Sequence, residues 1–386
     1  MNHRSLPFTG LAPAALVALL AGCSGASGIT PAGTANSAPE TQSLGRAEIG
    51  PAGMILPKHA DFVPYGATNP PEPVPREFML PSVSRSPGVR PSFIAFKQEV
   101  RTGKKAPLNY VFTSDWITAD INIYDEATLS LLGQGVGYGG WGVAADAKGH
   151  VCWGRTSGTI ACGSVTAAGW EPTAYLTESS GQALGLAFTS NGDLYATNFP
   201  KNVIDHWSKA QVAGCTSCSP IDSLTVSGIS SAYYLGADGG KLYVDGNSTE
   251  GSIAVGSVNL TNAKFKSVAT APPSSFFPGG IAFDKSHTLI WNNEFGYLYT
   301  LPKPYTYVTN SFDYSTGSSA QIYTGIALDS SETTLLAANH YLCQNNYSSC
   351  SDVQENSYPL GTLGIASATN GDIEDLGIAI TPPGKD

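Results

Sequence analysis

From residue 108 onward the apolar residues fall in short runs, separated by Gly, Asn, Asp and Ser, and none shows the i, i+3, i+4 spacing of a buried helix face. One form recurs among these runs. "GVAAD" begins at Gly142, "GLAFT" at Gly185, "GIAFD" at Gly280, "GIALD" at Gly325 and "GIAIT" at Gly377, with a degenerate copy, "YLGAD", at Tyr234. The starts at 142, 185, 234, 280, 325 and 377 are separated by steps of 43, 49, 46, 45 and 52 residues. After each small-residue run comes a turn and then a second apolar run. "GLAFTSNGDLYATN" reads as a strand, a turn on Asn191-Gly192, and a strand through Leu194, Tyr195 and Ala196.

The remaining units repeat this pattern. Second strands are expected in "HVCWG", "KLYVD", "TLIWN" and "TLLAAN", and third strands in "TIACGSV", "VIDHWS", "SIAVGSV" and "GYLYTL". A period in the forties built from short alternating strands indicates the blades of an all-β propeller. Gly and Ala in the first strand suit a place where blades crowd an axis. The two ends of the repeat region are incomplete in complementary ways. "LNYVFTSD" (Leu108 to Asp115) and "DINIYD" (Asp120 to Asp125) match a second and a third strand with no Gly-x-Ala strand before them, whereas the chain ends on a Gly-x-Ala strand with no second strand after it. Leu376 to Thr381 is therefore expected to be the innermost strand of the first blade. That makes a six-bladed β-propeller over residues 108–386, sealed by its C-terminal strand, with no sheet edge left open between first and last blades.

"GIAFDKSHTLIWNNEFGYLYTL" and "GLAFTSNGDLYATN" resemble the repeats of NHL and SMP-30-type six-bladed propellers, which run Gly-Ile-Ala-hydrophobic-Asp, turn, Leu-Tyr-Val. The resemblance covers about residues 108–384. It implies the fold and leaves the task open, because such propellers serve as lactonases, lyases and binding platforms. The lactonase-like members hold a divalent cation with a Glu in Gly-Glu-Gly-Pro, two Asn residues and an Asp in Pro-Asp-Gly, and none of those contexts occurs here. The His/Glu cluster of lyase-like propellers is not supplied by these histidines either. His340 with Glu294, on adjacent blades, is the one candidate acid–base pair.

Propellers bind at the mouth of the central channel, where second strands end. The residues there are Asp115, Arg155, Asn198, Asn247, Asn293 and Asn339, with Trp116, Glu294 and His340 beside them. A ring of amides and acids suits Ca²⁺, which takes six to eight oxygen ligands, and it also suits a sugar or peptide. In turns the same residue types satisfy backbone groups, and that reading stands beside the functional one. No metal ligand set and no catalytic group is assigned, and no cofactor is expected beyond the possible Ca²⁺.

Charge narrows the partners. The chain carries 20 Lys and Arg against 30 Asp and Glu, a net −10, which argues against nucleic acid. Its N-terminus has Arg4, then the apolar "LAPAALVALLAG" (Leu11 to Gly22), too short to span a bilayer. The ending "LAGC" (Leu20 to Cys23) resembles the lipobox of bacterial lipoproteins, which implies cleavage of residues 1–22 and acylation of Cys23. Residues 23–107 are rich in Pro, Gly and Ser and read as a flexible tether followed by an extended segment. The expected location is the bacterial cell envelope, with the propeller on the extracytoplasmic side and the membrane reached through the lipid. The expected role is non-catalytic binding of a protein or carbohydrate. A metal-dependent SMP-30-like hydrolase or lyase and a scaffold subunit are the alternatives.

Six further cysteines form three close pairs, Cys152 and Cys162, Cys215 and Cys218, Cys343 and Cys350, as an exported protein would use for disulfides. A hairpin centred on Ser157 places Cys152 opposite Cys162. "CTSC" at Cys215 reads as a loop disulfide, a redox pair or half a zinc site, the last lacking further ligands.

Overall fold

The protein's computed structural model describes residues 90–96, 109–115, 119–155, 157–166, 168–179, 181–199, 201–248, 253–271, 278–293, 297–305, 310–313, 323–339, 353–359, 366–368 and 375–382. Within them the chain begins with β1 (Ile94–Ala95), β2 (Tyr110–Asp115), β3 (Ile121–Asp125) and β4 (Leu131–Gly135). Next come β5 (Gly140–Ala145), β6 (His150–Arg155), β7 (Thr159–Thr166) and β8 (Gly169–Thr177), then β9 (Gln182–Phe188), β10 (Leu194–Phe199) and β11 (Val203–Trp207). A short helix α1 (Lys209–Gly214) precedes β12 (Asp222–Thr225). The fourth group is β13 (Ile229–Asp238), β14 (Lys241–Ser248), β15 (Ile253–Asn259) and β16 (Lys264–Ala271). The fifth is β17 (Pro278–Phe283), β18 (Leu289–Asn293), β19 (Tyr297–Leu301) and β20 (Asn310–Asp313). Last are β21 (Tyr323–Leu328), β22 (Thr334–Asn339), β23 (Val353–Ser357), β24 (Ala366–Ala368) and β25 (Asp375–Thr381).

These strands form six antiparallel sheets, the blades of a six-bladed β-propeller. Blade 1 has the order β25-β2-β3-β4, so the last strand of the chain is the inner strand of the first blade. Its register pairs Tyr110 with Thr381, Phe112 with Ala379 and Ser114 with Gly377. Inner strands touch in sequence round the ring, from β25 to β5, β9, β13, β17, β21 and back to β25. We call the end of the ring where inner strands begin the upper rim and the opposite end the lower rim.

The Gly of each Gly-x-Ala run explains this closeness. A Cβ on Gly142 would lie 1.9 Å from the Leu184 carbonyl oxygen of the next inner strand, one on Gly185 2.4 Å from the Tyr233 oxygen, and one on Gly280 2.5 Å from the Ile326 nitrogen. Gly325 meets the Ile378 nitrogen at 3.0 Å, and Gly377 meets the Val143 nitrogen at 2.5 Å, which completes the circle. Each inner strand thus leans on the backbone of the next, where only a hydrogen fits. The exception is blade 4, where Tyr234 stands in the Gly position. There the β13–β14 pairing shifts register between Ala232 and Leu235, as the inner pairings of blades 2, 5 and 6 do at the equivalent place, and Asp245 Oδ1 accepts the Tyr234 N–H at 2.7 Å.

Farther from the axis the blades splay, and large side chains fill the gaps. Trp153, Trp170, Trp207 and Trp291 are fully buried, with Trp153 and Trp170 centroids 4.3 Å apart. The Asp that ends the repeat motif caps the turn below the inner strand. Asp146 accepts the N–H groups of Lys148 and His150, and Asp329 those of Ser331, Thr333 and Thr334.

Three features add to the strands read from the sequence. β1 adds a fifth strand to blade 2 by pairing with β8, and it inserts Ile94 and Phe96 into the core between blades 1 and 2. α1 starts at a capping box in which Ser208 and Gln211 exchange side-chain and backbone hydrogen bonds. The loop after α1 then lies along the rest of the β8 edge, with Tyr175 N–H donating to Cys215 O and Thr177 N–H to Cys218 O. Disulfides Cys152–Cys162 and Cys215–Cys218 are formed, the first between residues paired across the β6–β7 hairpin. The second therefore fastens a loop that covers a sheet edge. Cys23, Cys343 and Cys350 lie outside the described residues.

This packing makes the inner glycines sensitive to any added carbon. Gly142→Ala should cost about 3 kcal/mol or more, because its methyl meets backbone that cannot yield without moving a blade. Gly214→Ala, at the open end of α1 with nothing within 4 Å of the new methyl, should be neutral or stabilising by about 0.5–1 kcal/mol. Urea melts of the two variants check this, and equal effects would contradict the packing argument.

Candidate functional site

Two regions of the axis are concave or polar enough to consider. The first is the channel itself. It is bounded by the inner edges of β5, β9, β13, β17, β21 and β25, encloses about 220 Å³, and runs past the repeat glycines Gly142, Gly280, Gly325 and Gly377. Its walls are backbone edges and small or aliphatic side chains with Phe188, Tyr234 and Phe283, and no acid, amide or base is among them. Toward the upper rim, Trp141, Leu184 and Leu376 directly precede the inner glycines and join Phe199, Tyr233 and Tyr234 in one buried cluster drawn from blades 1 to 4. The Phe199 ring packs on Trp141 at 6.3 Å and on Tyr233 at 5.0 Å between centroids. A mainly aromatic cluster therefore lies beside the upper ends of these inner strands.

The second region is the ring of polar residues at the upper ends of the second strands. Asp115 is fully buried and pairs across the β2–β25 ladder with Asp375, itself buried, so two acids stand side by side in blade 1. Arg155 is buried on the blade 1 side of blade 2, where its Nη1 donates to Thr159 Oγ1 at 3.2 Å. Burial pulls its pKa below the usual guanidinium value, which the nearby Tyr175 and Tyr138 oppose. Arg90 lies 5.0 Å over the Tyr175 ring, and the Tyr175 hydroxyl donates to the Pro91 carbonyl.

Asn198 is almost fully buried and serves a carboxylate hub. Its Nδ2 donates to Ser179 Oγ at 2.9 Å and to Asp205 Oδ2 at 3.0 Å. Asp205 also accepts from Ser179 N–H, Ser179 Oγ and Ser223 Oγ at 2.8, 2.7 and 2.6 Å. Asn247 is half-buried and donates to the Tyr233 hydroxyl at 3.3 Å. Asn293 and Asn339 end β18 and β22, with only their backbone described, while Trp116, Glu294 and His340 lie outside the described residues. The ring is thus drawn together at the rim but divided among separate partners. Asn198 turns its amide nitrogen, not its oxygen, toward Asp205, which is the wrong polarity for a shared cation. Among the described residues no group of three or more His, Cys, Asp and Glu is placed to hold a metal ion.

Just below this ring, other side chains latch blades together at four of the six junctions. Ser114 Oγ accepts the Gly140 N–H at 2.7 Å, and Thr197 Oγ1 accepts the Gly185 N–H at 2.8 Å while donating to Tyr233 O at 2.5 Å. Asn292 Nδ2 donates to Tyr323 O at 2.5 Å, and Thr324 Oγ1 to Asp375 O at 2.7 Å. Sequence reasoning chose the strand-end residue and passed over the one before it. It also missed Asp205 and Glu178. Glu178 is buried; desolvation lifts its carboxyl well above the usual range, the charge of Asp205 adds to this, and the backbone N–H of Ala183 only partly offsets it.

No protein-family model matches the chain, those of the NHL and SMP-30 families included, and no curated protein matches it. Among solved structures it is similar to a protein of unknown function from Bacteroides caccae, at 10% identity and a TM-score of 0.52, over 70% of this chain and 98% of that one. A functionally unknown protein from Desulfotomaculum acetoxidans DSM 771 aligns at 14% identity and a TM-score of 0.45, over 71% of this chain and 99% of that one. The first supports the fold alone.

Glu178 gives the rim a measurable pH signature. Its folded-state pKa is raised, so the folded protein holds this proton more tightly than the unfolded chain does. Stability tied to Glu178 is full below the ordinary glutamate value and falls as pH climbs toward the raised one. Glu178→Gln should match the wild type in thermal midpoint near pH 4 and exceed it by a margin that widens toward pH 8. A margin that stays constant with pH would show that Glu178 keeps an ordinary pKa.

Proposed function

We propose that this chain is a lipid-anchored cell-envelope protein whose propeller is a non-catalytic binding module. The observation that carries this reading is the use made of the polar side chains at the upper rim. Asn198, Asp205, Asp245 and Asn292 are buried; the two amides donate through Nδ2 to Asp205 and to the Tyr323 carbonyl, and the two carboxylates accept from neighbouring groups, while Oδ1 of Asn198 and of Asn292 has no partner among the described residues. Two of them join neighbouring blades, Asp245 to Trp291 and Asn292 to Tyr323.

Export is supported by the two disulfides. The anchor rests on the "LAGC" ending at Cys23. A lipid-tethered rigid wheel offers broad loop surfaces to a protein or carbohydrate ligand while its ring stays closed.

Two measurements test the proposal. Labelled palmitate should enter the wild type and be absent from Cys23→Ala, and equal labelling would remove the anchor. Purified full-length protein should keep its thermal midpoint in excess chelator. A fall of several degrees, with stoichiometric calcium released and the effect lost in Asn198→Ala, would favour the metal-dependent SMP-30-like hydrolase or lyase instead.

A further inference from the structure

The lower half of blade 4 presents a face unlike the rest of this acidic chain. Lys264 and Lys266 lie two residues apart on β16, so both side chains leave the same side of the sheet. The register pairs Asn259 with Lys264 and Ser257 with Lys266, and it sets Tyr243 opposite Ser257. Lys241, two residues before Tyr243 on β14, therefore shares that side. From strand geometry the two β16 ammonium groups start ~7 Å apart and Lys241 starts ~10 Å away across two strands. All three lysines are exposed and border a cavity of about 630 Å³.

None of the three has an ion pair among the described residues. Lys303, at the same rim, reaches Asp238 at 3.6 Å, and Lys285 reaches Glu332 at 3.9 Å. The lysines of blade 4 thus form a local positive site on a chain of net charge −10. The amides beside them add donors. Asn259 Oδ1 accepts the N–H groups of Thr261 and Asn262, and Asn262 Oδ1 accepts that of Lys264. With their oxygens held by the turn, both side chains have their NH₂ groups left as donors. No exposed large apolar side chain lies on this face, the described ones being Phe93, Val136 and Ile221.

We propose that this face binds an acidic polysaccharide. A surface dominated by ammonium and amide donors needs a ligand rich in acceptors, and charges ~7 to ~10 Å apart suit a polymer with an anion on successive sugars. Hydroxyl groups between the carboxylates match the amide NH₂ groups, whereas a lipid surface or an apolar peptide finds no wedge to engage. This deepens the binding-module reading and rests on it. The low dielectric benefit at an exposed site is small, so attraction is screened by salt within about 8–10 Å.

The test uses full-length protein in detergent with polygalacturonate, neutral dextran and polyglutamate as probes. Polygalacturonate should bind, dextran should not, and raising NaCl from 50 to 300 mM should weaken binding about tenfold. The variant carrying Lys241→Gln, Lys264→Gln and Lys266→Gln should fold with an unchanged thermal midpoint and bind polygalacturonate at least about tenfold more weakly. Equal binding by the variant overturns the site while leaving a binding module with another surface. Tighter binding of polyglutamate than of polygalacturonate overturns the carbohydrate assignment. No binding of polygalacturonate by the wild type overturns the proposal outright, and the anchor, judged by palmitate labelling, stands or falls separately.

Discussion

The structure depends on how near one inner strand comes to the next. At Gly142, Gly185, Gly280 and Gly377 the neighbouring backbone occupies the place a Cβ would need. Six radial sheets can share one axis only if their inner edges are thin, and removing one carbon at the point of closest approach achieves that. The remaining repeat residues follow from this contact. Ala two positions on limits the width of the strand, and large aromatics are displaced outward to the splay between blades, where fully burying each contributes roughly 1.5–3 kcal/mol. The hydrogen-bonded latches of Ser114, Thr197, Asn292 and Thr324 then fix the angle at which successive blades meet.

The same crowding explains why the upper rim holds so many buried polar groups. Inner strands bulge as they begin, exposing N–H and C=O groups that water cannot reach, and side chains from second strands satisfy them. Asp245 takes both the Tyr234 N–H and the Trp291 indole N–H, at 2.7 and 3.1 Å. Such a carboxylate is an acceptor already in use. A ring of Asn and Asp at a propeller mouth can therefore arise from backbone accounting, and a site for an outside ligand is better sought where charge is left unspent, as on the lysine face of blade 4.

Much of the fold was legible because its causes are local. Gly-x-Ala signals backbone crowding, Asn191-Gly192 signals a hairpin, and Ser157 midway between Cys152 and Cys162 fixes their pairing. The closing role of Leu376 to Thr381 followed from two incomplete units. Outer strands were not read because their constraints are weak: β12 is mostly exposed and lacks alternation, and β1 spans two residues. The carboxylate hub was invisible for a different reason. Asp205 meets Ser179 across 26 residues and Ser223 across 18, and no spacing rule marks such a meeting. Nothing in the spacing around Glu178 signals its burial, which comes from tertiary packing.

Closure is the claim on which the rest stands, and native-state hydrogen exchange tests it directly. If β25 is the inner strand of blade 1, amides of residues 376–380 exchange as slowly as those of 111–114 and open only with the whole domain. Rapid exchange at 376–380 while 111–114 remain protected would mean the ring is not sealed by its C-terminal strand, and the axial channel described here would not exist.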